Sequence, residues 1–385
     1  MDEARPTRAV TAGRAHQGHG LTVPLWGTST WETDGLDDTR KRATAMRAGE
    51  FYSRYANPTV RAFEEAVAEL EGAEDALAFA SGMGAIASTV FALCSAGDHI
   101  VASRQLYAGT SLFLQGPCAR LGIEVTLVDG TEPGAITAAV RPGRTMLVIS
   151  ETPSNPRLDL IDLDELGAIT GPYTLVDSTF ATPIGQQPLD HGVDLVLHSA
   201  TKGISGHNDA TLGVVAGSAE LLDAIWAYAV LHGACASPYD ALNGLRGIRT
   251  LAVRQRHQAT VAQQVAETLA DHPGVAAVYY PGLPDHPQHE LARKQLSVLP
   301  TVLAADLAGG VDAARAMLEA LRIGRSATSL GGPETLVCHP ATSTHVSLSP
   351  AEQAAIGVTP GLVRISIGLE DADDVLTDLT RAIPT

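Results

Sequence analysis

Cysteine, aromatic residues and positive charge are all scarce in this chain. Its 385 residues include 4 Cys and 4% aromatic residues, and 26 Lys plus Arg stand against 43 Asp plus Glu, a formal net charge of −17. The cysteines are far apart and lack CxxC or zinc-like spacing, so they predict reduced, mostly buried thiols. Without a cluster of basic residues, nucleic acid and anionic membranes are poor partners.

Long apolar runs are absent as well. No stretch reaches the roughly 18 apolar residues of a membrane-spanning helix, and the N-terminal segment lacks the apolar core of a secretory signal. We therefore expect a cytoplasmic protein that does not enter the membrane. The hydrophobic content of 45% and charged content of 18% are typical of a globular chain, and the length suits two or three packed units.

The pattern of residues divides the chain into three regions. Residues 1–55 are polar with little sustained periodicity and predict an N-terminal arm. Residues 56–250 contain short apolar or β-branched segments separated by helix-compatible stretches, which predicts an α/β domain with a mostly parallel sheet covered by helices. Residues 251–385 mix strands and helices with longer loops and predict a smaller α+β domain.

Lys202 is the most informative single residue. It lies in VLHSATKGISGHND, where an apolar strand gives way to small hydroxyl residues and glycines. Desolvation at such a place lowers the pKa of a lysine and makes its amine a nucleophile for carbonyls, the chemistry of the Schiff base in pyridoxal phosphate (PLP) enzymes. Ser199 and Thr201 beside it carry hydroxyls that can bind phosphate oxygens. Taken alone, a lysine in a glycine-rich turn is more often a solvated loop charge, so the case for chemistry rests on other segments.

Two further segments suit the same chemistry. In ALAFASGMGAIAST a strand passes through Gly82 and Met83 into a helix, a turn that can cradle a phosphate or simply allow close packing. Asp177, in YTLVDSTFATP, ends an apolar strand, where a carboxylate can pair with a pyridinium nitrogen or merely cap a turn.

Aromatic and basic residues complete the candidate site. Tyr107, in SRQLYAGTS, could stack on a cofactor ring and transfer protons, or be an ordinary loop tyrosine. Tyr52 and Arg54 lie in the arm, where Arg54 suits a phosphate or is a surface charge. The histidine pairs lack accompanying ligands, so we predict no metal site, and we expect His339 to border the substrate entrance.

The ordered motifs resemble those of the Cys/Met-metabolism family of PLP enzymes, which includes methionine γ-lyase, cystathionine γ-lyase, cystathionine γ-synthase and O-acetylhomoserine sulfhydrylase. The resemblance covers nearly the whole chain and implies fold type I. It rests on YSRYANPT, SGMGAI, LYAGT, ETPSNP, VDSTFATP, HSATKGISGHND, SLGGPETL and VRISIGLED.

The resemblance also implies a role for each matching residue. Lys202 would carry the Schiff base, Asp177 would pair with the pyridine nitrogen, and Tyr107 would stack on the ring and act as an acid or base. The phosphate would be held by Gly82, Met83, Ser199 and Thr201, and by Tyr52 and Arg54 from a neighbouring subunit. Asn155, Ser329 and Arg364 would bind the substrate carboxylate or the 3-hydroxyl side of the cofactor. The resemblance therefore implies a homo-oligomer that is at least a dimer, and a tetramer is expected because tetramers are common in this family.

For the reaction, the resemblance implies γ-elimination from methionine or cystathionine, giving a thiol, 2-oxobutanoate and ammonia. Replacement of the γ-substituent by a thiol is the alternative. Thr328, where cystathionine enzymes carry Glu, favours a less polar substrate, whereas Gly109 and the Ala229–Val230 pair depart from methionine γ-lyases, which have Cys and Lys-Asp there. A binding or regulatory homologue is a further alternative, but such a protein would be expected to lose Lys202, Asp177 or Arg364.

Overall fold

Two β-sheets organise the chain. The computed structural model describes residues 3–47 and 49–385. The larger sheet has the strand order β1-β7-β6-β5-β4-β2-β3, and the smaller has the order β10-β11-β12-β9-β8. The strands are β1 Asp75–Phe79, β2 His99–Ser103, β3 Glu124–Val128, β4 Thr145–Glu151, β5 Tyr173–Asp177, β6 Leu195–His198, β7 Gly213–Gly217, β8 Val275–Tyr279, β9 Val302–Leu307, β10 Arg325–Ser326, β11 Leu336–Cys338 and β12 Leu362–Ser366.

The larger sheet is parallel except at β7, which pairs antiparallel with both β1 and β6. Helices cover both of its faces. The helices of this part of the chain are α1 Arg5–Thr11, α2 Leu36–Thr44, α3 Pro58–Glu71, α4 Gly82–Leu93, α5 Ala108–Phe113, α6 Ala135–Ala139, α7 Leu163–Gly167, α8 Thr182–Gly185, α9 Ala219–His232 and α10 Pro238–Ala270, of which α2 has no buried residue. The mostly parallel sheet between helices confirms the predicted α/β class.

Strand residues on the two faces of the larger sheet enter different cores. Val196 and Val214 pack with α1, α3 and α10, whereas Leu197 and Val215 pack with α4 and α9. Since neighbouring strand residues point to opposite faces, a sheet buried on both sides requires the near-continuous apolar runs seen in the sequence.

Helices α12 Gly310–Ala320 and α14 Ala372–Ala382 pack on the smaller sheet. The remaining helices are α11 His289–Gln295, whose last residue bonds the backbone at Ile161 and Leu163, and α13 Pro350–Ala355. The 33-residue helix α10 connects the two parts of the fold. Leu245 and Ile248 in its first half belong to the core of the larger sheet, and Val261 and Val265 in its second half belong to the core of the smaller one. The predicted domain boundary at 250/251 lies inside this helix.

Helix α10 also holds the turn that carries Lys202. The buried guanidinium of Arg254 donates to the backbone carbonyls of Gly203 (2.9 Å), Ile204 (3.3 Å) and Gly247 (2.8 Å). Gly247 lies so close to the backbone of Ser205 that any side chain at residue 247 would collide with it. A planar group with several donors suits this bridge between turn and helix.

The N-terminal region contains more regular structure than its sequence pattern suggested. Helix α1 packs on α3 and α10, and Arg249 donates to the carbonyls of Ala9 (3.1 Å) and Ala12 (2.8 Å). After it the chain exposes several large apolar side chains, among them Leu21, Trp26 and Leu36. Within the described residues, no helix is both long and apolar enough to span a membrane.

Candidate active site

A cavity of about 640 Å³ lies where the carboxyl ends of β4, β5 and β6 meet the smaller sheet. Parallel α/β sheets bind ligands at this edge. The predicted residues Gly82, Met83, Tyr107, Asn155, Asp177, Ser199, Thr201, Lys202, Thr328, Ser329 and Arg364 all line it.

One wall of the cavity is formed by the beginning of α4. The Ser81 hydroxyl caps the helix by accepting from the Gly84 N–H (3.0 Å), and Gly82 and Met83 border the cavity. A Cβ on Gly82 would lie 2.9 Å from the Cβ of Ser199, so only glycine allows these two segments to approach so closely. The free N–H groups and positive dipole of a helix start suit an anion.

The hydroxyls of Ser199 and Thr201, which lie near Lys202 in sequence, differ in their hydrogen bonds. The Thr201 hydroxyl donates to the Leu212 carbonyl (3.1 Å) and accepts from the Leu212 N–H (2.8 Å), which ties the turn to the residue before β7. The Ser199 backbone N–H donates to Thr179 Oγ1 (2.8 Å), and its hydroxyl borders the cavity. Ser199 is therefore the better placed of the two to donate to a phosphate.

Lys202 reaches the far side of the cavity, where its Nζ donates to Ser329 Oγ over 3.1 Å. Burial, followed by the positive charge of Arg364, lowers the pKa of the Lys202 ammonium below its ordinary value. Both effects favour the neutral amine, which is the nucleophilic form.

Asp177 caps a turn and also lines the cavity. Its Oδ1 accepts from the Thr179 N–H (3.0 Å) and from the Thr179 hydroxyl (2.5 Å), as in a turn cap. Its Oδ2 is left for the cavity, which Asp177 also lines. Burial raises the pKa of the Asp177 carboxyl above its ordinary value, although the Thr179 hydrogen bonds oppose the shift. A cationic partner in the cavity would favour its ionised form.

Arg364 is held at the cavity by the predicted neighbours. Its Nη1 donates to Asn155 Oδ1 (2.9 Å), and its Nη2 donates to the Ser329 carbonyl (2.7 Å). The buried Nε has no hydrogen-bond partner among the described residues. Ser329 adopts a φ of +82°, rare for a residue with a side chain, and such strain is frequent at functional sites.

Glu151 is a polar residue of the cavity that the sequence did not reveal, and His345 is a buried residue close enough to Arg364 to feel its charge. Glu151 ends β4 and lines the cavity. Its pKa is raised well above the ordinary range by burial and by the negative charge of Asp177. His345 is fully buried, and burial together with the charge of Arg364 lowers its pKa to about 4. Register and loop packing, which sequence patterns do not report, bring them here.

Tyr52, Arg54 and His339 lie outside the cavity of their own chain. Arg54 Nη1 donates to the Val230 carbonyl (2.6 Å), and its guanidinium lies 5.1 Å from the centre of the Tyr55 ring. Tyr52 is 41% exposed. His339 is not among the residues that line the cavity, and its ring nitrogens bond Thr342 Oγ1 (2.9 Å) and the Pro360 carbonyl (3.0 Å), so its place at the substrate entrance stays a prediction.

The donors around the cavity fit PLP. The close approach of Gly82 to Ser199 forms a cradle that a Cβ would fill, beside a helix start that suits a phosphate. Asp177 offers a free carboxylate oxygen, and Lys202 offers an amine of lowered pKa. In the part of the chain that the structure describes, no group of three or more His, Cys, Asp or Glu side chains could hold a metal ion. Sheet and cavity together define a PLP-binding α/β enzyme.

Comparison with known proteins gives the family. The profile of the "Cys/Met metabolism PLP-dependent enzyme" family matches residues 6–384. The chain is 41% identical to an L-methionine gamma-lyase of Porphyromonas gingivalis, covering 98% of this chain and 96% of the relative. It is 42% identical to an O-succinylhomoserine sulfhydrylase of Pseudomonas aeruginosa, covering 98% and 94%. A crystal structure of cystathionine gamma synthase from Xanthomonas oryzae pv. oryzae superposes with a TM-score of 0.93 at 38% identity, covering 99% and 97%.

This chain belongs to the Cys/Met metabolism family of PLP-dependent enzymes. The predicted family, cofactor and fold type are thereby confirmed. Its relatives thus include an L-methionine gamma-lyase, an O-succinylhomoserine sulfhydrylase and a cystathionine gamma synthase.

Replacing Asp177 by Asn should raise the stability of the apoprotein and lower the activity of the PLP-loaded enzyme. Because the folded pKa of Asp177 is raised, the native apoprotein is destabilised above that pKa, and the penalty disappears as pH falls towards the pKa of the unfolded chain. We expect Asp177→Asn apoprotein to be more stable than wild type at pH 8, with the difference shrinking at pH 4 to 5 in urea unfolding.

The same variant should lose activity when loaded with PLP, by roughly 100-fold or more, because the charge partner of the cofactor ring is gone. Asp285→Asn, at an exposed position, is the matched control and should change neither property. Lower stability of Asp177→Asn at pH 8 would contradict this account of the buried carboxylate.

Proposed function

We propose that this enzyme eliminates the γ-substituent of a sulfur-containing L-amino acid, methionine or cystathionine, to give a thiol, 2-oxobutanoate and ammonia. The observation that carries the proposal is the pairing, in one cavity, of a lysine amine of lowered pKa with Arg364, whose buried Nε has no hydrogen-bond partner in the described part of the chain. Identity of 41% to an L-methionine gamma-lyase supports it.

In this proposal Gly82, Met83 and Ser199 hold the cofactor phosphate, with Thr201 shaping the turn beside them. Asp177 stabilises a proton on the pyridine nitrogen. When bound, PLP supplies an aldehyde that condenses with amines and a protonated ring that takes up electrons. Arg364, supported by Asn155 and Ser329, binds the α-carboxylate of the substrate as a planar fork.

The remaining steps are proton transfers by the chain's own groups. Lys202, as a free amine, takes the proton from Cα, because its lowered pKa favours the neutral form. Once it has released that proton, the same amine assists removal of one from Cβ. The phenol of Tyr107, which borders the cavity, donates a proton to the departing sulfur. The thiol leaves, and water completes the release of 2-oxobutanoate and ammonia.

In this proposal Thr328 and Gly109, which line the cavity, determine which substrate side chain fits. Thr328 lines the cavity with a neutral hydroxyl, which suits a thioether lacking a charged end. Gly109 also lines it, and a Cβ there would lie 2.5 Å from Cε1 of Tyr107. The Tyr107 ring therefore occupies the space that a side chain at position 109 would need. Ala229 and Val230 border a separate small cavity together with Arg54.

Replacement of the γ-substituent is the second candidate. The 42% identity to an O-succinylhomoserine sulfhydrylase and the TM-score of 0.93 to a cystathionine gamma synthase favour it. The same Lys202, Asp177 and Arg364 serve both reactions, because a thiol in place of water changes only the final steps.

Product analysis with methionine, cystathionine, homocysteine and O-acylated homoserines distinguishes these reactions. We expect 2-oxobutanoate and a thiol from methionine or cystathionine without added nucleophile, and nothing from Lys202→Ala under the same conditions. Turnover of O-acylated homoserines only when cysteine or sulfide is supplied would reject elimination in favour of replacement.

The proposed assembly is a homo-oligomer in which Tyr52 and Arg54 serve the cavity of a neighbouring subunit. Both residues lie outside the cavity of their own chain. The arm around them exposes apolar side chains, including Leu21 at 98% and Leu36 at 89%, that a second subunit would cover. We propose dimers that pair into tetramers.

Mixing two inactive variants tests the shared site. If Arg54 acts in the neighbouring subunit, a dimer of one Lys202→Ala chain and one Arg54→Ala chain has one intact site. Random reassociation should then restore about one quarter of wild-type activity. Activity no higher than that of the Arg54→Ala homo-oligomer would show that Arg54 acts within its own chain or not at all.

A further inference from the structure

Glu151 occupies an unusual position for a carboxyl group with no assigned role. It is the last residue of β4, lies in register beside Asp177 of β5, and is only 4% exposed. Two neighbouring carboxyl groups at one buried sheet edge repel each other when both are ionised. A glutamate at this position is therefore unfavourable unless its oxygens have partners that require it.

Both oxygens of Glu151 accept hydrogen bonds from the backbone of other site segments. Oε2 accepts from the N–H of Tyr107 (2.7 Å), the residue that caps α5. Oε1 accepts from the N–H of Asn155 (2.8 Å), in the loop that follows β4. One side chain thus bridges two loops that are separated by 48 residues in sequence.

Each bridged segment presents a group to the cavity. The Tyr107 ring borders the cavity directly, and Asn155 Oδ1 accepts from Arg364 Nη1 (2.9 Å). A continuous series of hydrogen bonds therefore runs from the Tyr107 backbone through Glu151 and Asn155 to the Arg364 guanidinium. A shift of Glu151 would move both the aromatic wall and the arginine.

The chemistry of the bridge requires two acceptors. An ionised or a neutral carboxyl group can offer both oxygens to N–H donors, and the ionised form binds them more strongly. A glutamine has almost the same shape but offers one oxygen, so its amide nitrogen would face one of the two N–H groups. The geometry explains why a carboxyl group occupies this site despite its burial and the nearby Asp177.

We propose that Glu151 is a positioning residue that holds the Tyr107 wall and the Asn155–Arg364 clamp in one fixed arrangement. Through these contacts Glu151 fixes the position of Arg364, which binds the substrate carboxylate, relative to Tyr107, which donates the proton. The inference rests on the proposed function only for the roles of Tyr107 and Arg364.

The test compares Glu151→Gln with Asp194→Asn in the PLP-loaded enzyme. Asp194 is a matched control, because its Oδ2 accepts from the N–H (2.8 Å) and hydroxyl (2.9 Å) of Thr174 at the start of β5, the opposite edge of the same sheet. L-Norleucine, which has a methionine-like shape and no sulfur leaving group, serves as the ligand in absorbance titrations. Visible circular dichroism of the bound cofactor reports the arrangement of the cavity wall.

We expect Glu151→Gln to weaken norleucine binding and to lower kcat/KM by about 10- to 100-fold, the usual effect of losing a supporting hydrogen-bond partner. It should also change the visible circular dichroism. Asp194→Asn should alter thermal stability alone. Asn155→Ala, which breaks only the arginine side of the bridge, should raise KM while preserving the circular dichroism.

A Glu151→Gln enzyme with wild-type norleucine affinity and circular dichroism would overturn the proposal, whatever its stability. If glutamine prevents folding, Glu151→Asp keeps the charge with a shorter reach and should show the same two changes. Norleucine binding does not require γ-elimination, so an enzyme that fails the product test still answers this question.

Discussion

The burial of a lysine amine beside an arginine is the constraint on which the rest of the site depends. Burial, followed by the positive charge of Arg364, lowers the pKa of Lys202 and favours its neutral amine. The lysine can be held there as a reactive amine only if the backbone around it is rigid. Arg254 from α10 and the Thr201–Leu212 pair provide that rigidity, because they bind the turn on both sides of Lys202.

Two carboxyl groups lie at the sheet edge that borders the Lys202 cavity, but neither is the hydrogen-bond partner of the amine. Asp177 and Glu151 end neighbouring strands, yet the hydrogen-bond partner of the Lys202 amine is the neutral hydroxyl of Ser329. Asp177 accepts hydrogen bonds from Thr179 through Oδ1, whereas Glu151 accepts backbone N–H hydrogen bonds through both of its oxygens. A cationic cofactor ring would complete the charge balance, since it would favour an ionised Asp177.

Sequence patterns predict what depends on neighbouring residues along the chain. The apolar runs give the strands of the larger sheet, and the residue that ends β5 is Asp177, as expected. Glu151 escapes prediction because its importance comes from strand register and from donors 44 residues before and 4 residues after it. The hydrogen bond of His339 to the Pro360 carbonyl is likewise invisible in the sequence, because the two residues are distant along the chain. The roles of Tyr52 and Arg54 depend on a second chain and stay predictions.

Lys202 as the residue that bonds the cofactor is the central claim, and borohydride reduction of the PLP-loaded enzyme tests it most directly. Reduction fixes the cofactor to its amine, and peptide mapping then identifies the residue. We expect loss of the visible absorption band and a pyridoxyl group on Lys202, with neither observed in Lys202→Ala. A label on another lysine, or a protein that takes up no PLP, would contradict it.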